Sequence, residues 1–277
     1  MTATGSKAEA AVTPAPTERE TRGPRWRRLV HDVAPVAGAA LLFVVVWQAI
    51  VIIGDYPTYI LPGPAVVAER FVSGWTDGII GPHFWTTLAE VLLGLALGGI
   101  TGILTGILLA RSRLAARMLS PYIVAAQATP ILALAPLLAL WFGTGLGRSV
   151  LIGDLICYFP LAVGKIEGLG DVVTYLIELG RSFRAHRRQR LPRIEVPSAL
   201  PQIMGSLRIG VTLAVVGAIV AEWAGGDSGL GVLINLARGS MFDIPLMFAT
   251  LMTIGLMGIA LYLIVVAIER RLVRTPS

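Results

Sequence analysis

The chain has 277 residues, of which 55% are hydrophobic and only 14% charged, with a mean hydropathy of +0.74 and a net charge of +6. A soluble domain carries about 25% charged residues, so this composition excludes an ordinary cytosolic enzyme, a disordered protein and a secreted disulfide scaffold. The chain reads as one solvated by lipid, and its single cysteine, Cys157, excludes an intramolecular disulfide.

In chain order, residues 1–34 form a basic N-terminal tail. Met1–Gly23 is rich in Ala, Thr, Pro and Glu, has no apolar period and reads as disordered; Arg25-Trp26-Arg27-Arg28 follow. Residues 35–271 then hold six apolar stretches, at about Pro35–Ile53, Phe84–Ala110, Leu119–Phe142, Ser149–Glu167, Met204–Ala224 and Ile244–Ile268. Each suits a helix crossing a hydrocarbon core of ~30 Å, which takes ~20 residues. A β-barrel would show ten-residue alternating segments rather than continuous runs such as Ala37–Ile53. A cleaved signal would have an apolar region of only about 7–15 residues, whereas the first run is longer and ends in Ile52-Ile53-Gly54-Asp55. The expected fold is an all-α membrane protein with six transmembrane helices.

Lys and Arg are concentrated in cytoplasmic segments of membrane proteins. With the N-terminus inside, 20 of the 23 basic residues fall in inside segments, and only Arg70, Arg148 and Arg238 fall outside. Both termini are therefore expected in the cytoplasm. The net charge is an orientation signal and requires no nucleic-acid partner.

One inside loop, residues 168–202, is longer than a simple turn needs. Within it Thr174–Leu191 predicts a short amphipathic helix: Tyr175, Leu179 and Phe183 fall at i, i+4 and i+8, Leu176 widens that stripe, and arginines occupy the rest. Pro192, Pro197 and Pro201 are expected to end it and form a rigid return to the fifth span. Such a helix suits anionic lipid or a groove in a partner protein. Lipid attraction alone does not account for Glu178 or for the fixed proline spacing.

Polar groups within spans are costly in lipid and usually face a cavity or a partner. Gln127 and Thr129 flank Pro130, where a helix loses a backbone hydrogen bond and can bend; Glu222 and Trp223 lie near the outer end of the fifth span. These five residues are candidates for a translocation path, with Glu90 and Asp154 as further polar positions. Helix–helix hydrogen bonding is the competing role for each. Gly94, Gly98, Gly99, Gly102 and Gly106 give the second span a small-residue surface for close helix contact. Tyr158 and Trp141 suit packing better than stacking on a ring. No cofactor or metal is expected: the histidines are scattered, and Gly164-Lys165 continues with Ile166, not the Ser or Thr of a phosphate-binding loop.

The loop resembles the "EAA" loop of permease subunits of bacterial ABC importers, in which Glu-Ala-Ala is followed by three residues, Gly, nine residues and Ile-x-Leu-Pro. Glu178, Ile194 and Pro197 take the Glu, Ile and final Pro positions, with Val196 for Leu; Leu179 and Gly180 replace the alanines, and Arg184 stands where the family has Gly. Gln127-Ala128-Thr129-Pro130, Ala133–Leu138, Trp141–Gly145, Ile60–Pro64, Ala199-Leu200-Pro201, Gly205–Arg208, Ala221-Glu222 and Ser228–Gly231 resemble the sulfonate/nitrate/taurine-type permeases. Glu222-Trp223 and the Gln127–Leu134 stretch are similar to members thought to import thiamine-pyrimidine precursors or flavins. The resemblance covers about Ala34–Arg274.

The resemblance implies a type I importer permease in the bacterial plasma (inner) membrane, paired with a second permease copy as a homodimer, a cytoplasmic ATPase dimer and an extracytoplasmic solute-binding protein. It implies that Thr174–Leu191 is the coupling helix, with Glu178, Leu179, Gly180, Phe183, Arg184, Ile194 and Pro197 serving ATPase coupling. ATP hydrolysis would belong to the partner, so this chain is not itself expected to be an enzyme. The competing readings are an ion-coupled secondary transporter, which would show inverted repeats, and an intramembrane enzyme, which would gather a nucleophile, base or metal set. No span-interior Arg or Lys is expected, which favours a neutral or weakly charged ring as solute over a sulfonate or nitrate.

Overall fold

A computed structural model of the chain describes residues 25–143, 145–159, 161–162 and 196–272, and all regular structure among them is helical. The chain divides into two compact units at Ile53/Gly54. The first contains α1 (Arg25–Ile53), which starts ahead of the apolar stretch, at the basic segment, and carries Pro35 in its interior. Its stretch Ala34–Ile53 is long and apolar enough to cross a membrane. Leu41, Leu42 and Phe43 along it are each about two-thirds exposed on the isolated chain, as expected of a surface meant for lipid or a partner.

The second unit contains α2 (Pro64–Thr76), α3 (Ile80–Arg111), α4 (Arg113–Ala128), α5 (Ile131–Phe142), α6 (146–159), α7 (Val196–Trp223), α8 (Leu230–Gly239) and α9 (Ile244–Leu272). Ile80–Leu109, Leu200–Trp223 and Ile244–Leu272 qualify as spans by length and composition. They match the second, fifth and sixth apolar stretches. The fourth stretch is represented by α6 and residues 161–162, and its remainder lies outside the described residues.

The third stretch is not one straight span. α4 and α5 are turned by 101° across the break at Thr129-Pro130. Thr129 is extended, with φ −72° and ψ 127°, the conformation imposed on a residue before proline. The missing amide of Pro130 and the extended residue before it end α4 outright, a sharper change than the expected bend.

The prolines of the fifth stretch act differently. α7 is described from Val196 and runs through Pro197 and Pro201, so helix stands where an irregular return was expected. Each proline withholds an amide from the helix, and Pro201 interrupts the bonding of this stretch without ending α7.

α2 and α8 were not expected, being 13 and 10 residues long and too short to cross a membrane. Both pack against α9. Val91 of α3, Cys157 of α6, Ala214 of α7, Leu233 of α8 and Leu246 of α9 are buried in one apolar cluster. A second, smaller cluster holds Ala135 of α5, Ile152 of α6 and Ala221 of α7.

Close approach of α3, α6 and α7 depends on glycine. A Cβ at Gly98 would lie 2.9 Å from Cys157 Cβ, one at Gly102 would lie 2.9 Å from Leu161 Cβ, and one at Gly94 would lie 3.2 Å from Gly153 Cα. On α7 a Cβ at Gly217 would lie 3.0 Å from Gly153 Cα, so three helices cross at Gly94, Gly153 and Gly217. Gly99 faces open space; the packing surface is thus the Gly94/Gly98/Gly102 line, four residues apart, as helical geometry requires.

Candidate functional site

At one end of this bundle, polar side chains of α3, α6 and α7 converge on the first turn of α8. The amides of Gly229, Leu230 and Gly231 have no helical acceptor, because they lie at a helix start. Each is taken by a side chain from elsewhere. Gly229 N–H donates to His83 Nδ1 at 3.0 Å, Leu230 N–H to Thr87 Oγ1 at 2.8 Å, and Gly231 N–H to Glu222 Oε2 at 2.5 Å. Thr87 donates its hydroxyl proton to Glu222 Oε1 at 2.6 Å. Glu222 is 2% exposed and Thr87 fully buried.

Glycine makes this bracket possible. Gly229 has φ 125° and ψ 165°, a backbone region open essentially to glycine alone. A Cβ there would collide with the Glu222 carboxyl group, and one at Gly231 would lie 2.8 Å from Glu222 Oε2. Ser228-Gly229-Leu230-Gly231 is therefore a turn fitted around a carboxyl group.

Arg148 and Glu90 extend the bracket to α6. Arg148 was assigned to an outside segment by charge placement, yet it is 2% exposed. Its Nη2 donates to Ala221 O at 3.2 Å and its Nη1 to Gly143 O at 3.5 Å. A guanidinium offers five donors in a fixed fork, and here it ties the start of α6 to the end of α7. Glu90, 5% exposed, lies within reach of Ser149, Glu222 and Arg148. Glu90 Oε2 and Arg148 Nε are enclosed without a hydrogen-bond partner among the described residues.

Midway along α7, Arg208 Nε donates to Glu269 Oε2 at 2.6 Å, and Nη2 engages the same oxygen. This corrects the expectation that no Arg lies inside a span, since Arg208 falls within Leu200–Trp223 and Glu269 within Ile244–Leu272. The charge was hidden because its partner lies 61 positions away. In mid-bundle, Asp154 accepts from Thr101 Oγ1 at 3.1 Å, joining α6 to α3.

Of the five candidate path residues, Gln127, Thr129 and Pro130 are exposed at the α4–α5 break. Trp223 is 49% exposed, and Glu222 is enclosed in the bracket. Of the candidate coupling residues, Pro197 lies in α7; Glu178, Leu179, Gly180, Phe183, Arg184 and Ile194 lie outside the described residues. His83 and Thr87 were not expected as site residues. His83 is one of the scattered histidines, and its partner amide lies 146 positions away. Among the described residues no three His, Cys, Asp or Glu side chains gather as a metal site.

Comparisons with known proteins agree with this architecture. Residues 102–274 match the family described as binding-protein-dependent transport system inner membrane component. The chain is 40% identical to the riboflavin transport system permease protein RibX of Chloroflexus aurantiacus over 254 residues, covering 91% of this chain and 94% of that one. It is 35% identical to the formylaminopyrimidine transport permease protein ThiX of Halalkalibacterium halodurans, covering 79% and 86%. The fold is similar to that of a chain of the inward-facing MetNI methionine ABC transporter, with a TM-score of 0.61, 20% identity, and coverage of 69% of this chain and 94% of that chain. The chain belongs to the family of binding-protein-dependent transport system inner membrane components and is a multi-pass permease subunit of the ABC importer class.

Proposed function

We propose that two copies of this permease form the membrane path of an ATP-driven importer, with residues 168–202 docked on a cytoplasmic ATPase and the bracket end facing a solute-binding protein outside. The observation that carries this reading is the unbroken course of α7. It is described from Val196, within the proposed coupling segment, and reaches Glu222 in the bracket. Twenty-eight helical residues span about 42 Å, so a push on the inner end reaches the outer end without a joint. The starts of α3 and α6 and the end of α7 share the bracket, which fits alternating spans, and the distribution of Lys and Arg along the sequence supports that end being outside and both termini in the cytoplasm.

The path in this reading runs past Gln127, Thr129 and Pro130 at the α4–α5 break and past Trp223, with Glu222 holding its wall. The solute is a flat heteroaromatic compound of the riboflavin or pyrimidine-precursor class. The identity to permeases named for such compounds supports this. So does the engagement of the cations within the bundle: Arg208 on Glu269, and Arg148 on the carbonyls of Gly143 and Ala221. Neither is free to bind a sulfonate.

Co-purification of the ATPase tests the docking segment. Glu178→Arg and Leu179→Asp are expected to lose the ATPase while the permease still inserts in the membrane. Undiminished binding in both variants overturns the reading.

A further inference from the structure

We propose that the Arg208–Glu269 pair is a positioning link of the transport cycle: it carries movement from the inner end of α7 to α9. The proposal rests on the reading of residues 168–202 as the docking segment, whose last residues lead into α7.

α9 is tied at both ends, and to different helices. At its start, Asp243 Oδ2 accepts from Arg70 Nε of α2 at 2.8 Å, while Asp243 Oδ1 caps the helix by accepting from Leu246 N–H at 2.9 Å. In its last turns Glu269 holds Arg208 of α7. Asp243 and Glu269 are 26 residues apart, about 39 Å along a helix. The outer tie fixes α9 to α2, whereas the inner tie fixes it to the helix that leaves the docking segment. Arg208 stands 12 residues, about 18 Å, beyond Val196 on α7.

The chemistry of the inner tie suits transmission. The side chains of Arg208 and Glu269 are 36% and 15% exposed. Both lie in helices of spanning length, where an uncompensated charge is costly. Pulling α7 away from α9 would leave two charges unpaired in a poorly polar setting, so the helices move together. Two of the guanidinium donors point at one oxygen, which fixes direction as well as distance. Tyr262, two turns before Glu269 on the same face of α9, also interacts with Arg208. Much of the remaining surface of α9 is exposed apolar side chain, including Leu256, Ile259, Leu263 and Ile264.

The experiment uses the permease in complex with its ATPase, carrying a spin label at Ile259→Cys, on the exposed face of α9, in a Cys157→Ala background, with ATP plus vanadate as the probe. In the parent complex the label's line shape is expected to change on addition of the probe. In Glu269→Gln the ATPase is expected to co-purify as before, while the change falls at least fivefold. Exchange of the charges, Arg208→Glu with Glu269→Arg, is expected to restore more than half of it. An unchanged response in Glu269→Gln overturns the proposal, and so does a loss that the exchange fails to restore. Loss of the ATPase or of membrane insertion in Glu269→Gln also overturns it, because the pair would then serve assembly. Leu179→Asp separates the two readings: it removes the ATPase if docking is as proposed, whereas Glu269→Gln leaves the ATPase bound and silences the label.

Discussion

Glu222, the next-to-last residue of α7, accepts the amide proton of Gly231 in the first turn of α8. This contact, with the Thr87 hydroxyl on the other carboxyl oxygen, turns a residue that sequence marks as an intramembrane acid into a fastening between three helices. Glu222→Ala strands the buried Gly231 amide, at about 1–3 kcal/mol, opens a cavity where the carboxyl group sat, and leaves the Thr87 hydroxyl only the His83 carbonyl, at 3.1 Å, to donate to. Thermal unfolding in detergent is expected to show a destabilisation of roughly 3 kcal/mol, with Glu222→Gln, which keeps one acceptor oxygen, losing less. Equal stability of Glu222→Ala and the parent would remove the bracket as a structural element.

Gly229 and Gly231 test the same bracket from the other side. Gly229→Ala meets both a backbone region that L-residues rarely adopt and the Glu222 carboxyl group. The expected cost is about 1–3 kcal/mol for the backbone alone, with steric overlap added. Gly239→Ala, where a Cβ meets nothing within 4 Å, serves as the control and is expected to leave the unfolding temperature nearly unchanged.

Helix crossing predicts a contrast between adjacent glycines. Gly98→Ala places a methyl group 2.9 Å from Cys157 Cβ and 3.0 Å from Asp154 O, whereas Gly99→Ala meets open space. Overpacking of this kind costs about 1–3 kcal/mol. Gly98→Ala is expected to part α3 from α6 and raise the rate at which a maleimide labels Cys157, which is fully buried in the parent. Gly99→Ala is expected to label at the parent rate.

Capping by Asp243 predicts the behaviour of the outer end of α9. Asp243→Ala loses the acceptor for Leu246 N–H and the partner of Arg70. An N-cap contributes about 1 kcal/mol. Arg70→Ala, which leaves the cap in place, is expected to cost less than Asp243→Ala when both are compared by thermal unfolding.

Continuous apolar runs made α1, α3, α7 and α9 legible in the sequence, because twenty lipid-facing residues leave a signal that needs no partner. The glycine line of α3 was legible for a similar reason, since its spacing is local. What stayed hidden depends on distance along the chain. Arg148 looked like a solvated outside charge because hydropathy cannot see the Gly143 and Ala221 carbonyls that enclose it. Arg208 looked cytoplasmic because Glu269 lies on another helix. α2 and α8 fall below spanning length, so a search for spans passes over them. At Thr129-Pro130 the sequence announced a bend, but the size of the turn follows from how α5 packs through Ala135 against Ile152 and Ala221.

Uptake of radiolabelled riboflavin into proteoliposomes tests most directly the claim that this permease carries its solute through an ATPase docked on residues 168–202. The vesicles contain the permease with its ATPase, and the binding protein is supplied on the uptake side. Uptake is expected to require ATP hydrolysis and to fall to background in Leu179→Asp. Uptake by the permease alone under an ion gradient, or undiminished ATP-driven uptake in Leu179→Asp, would contradict it.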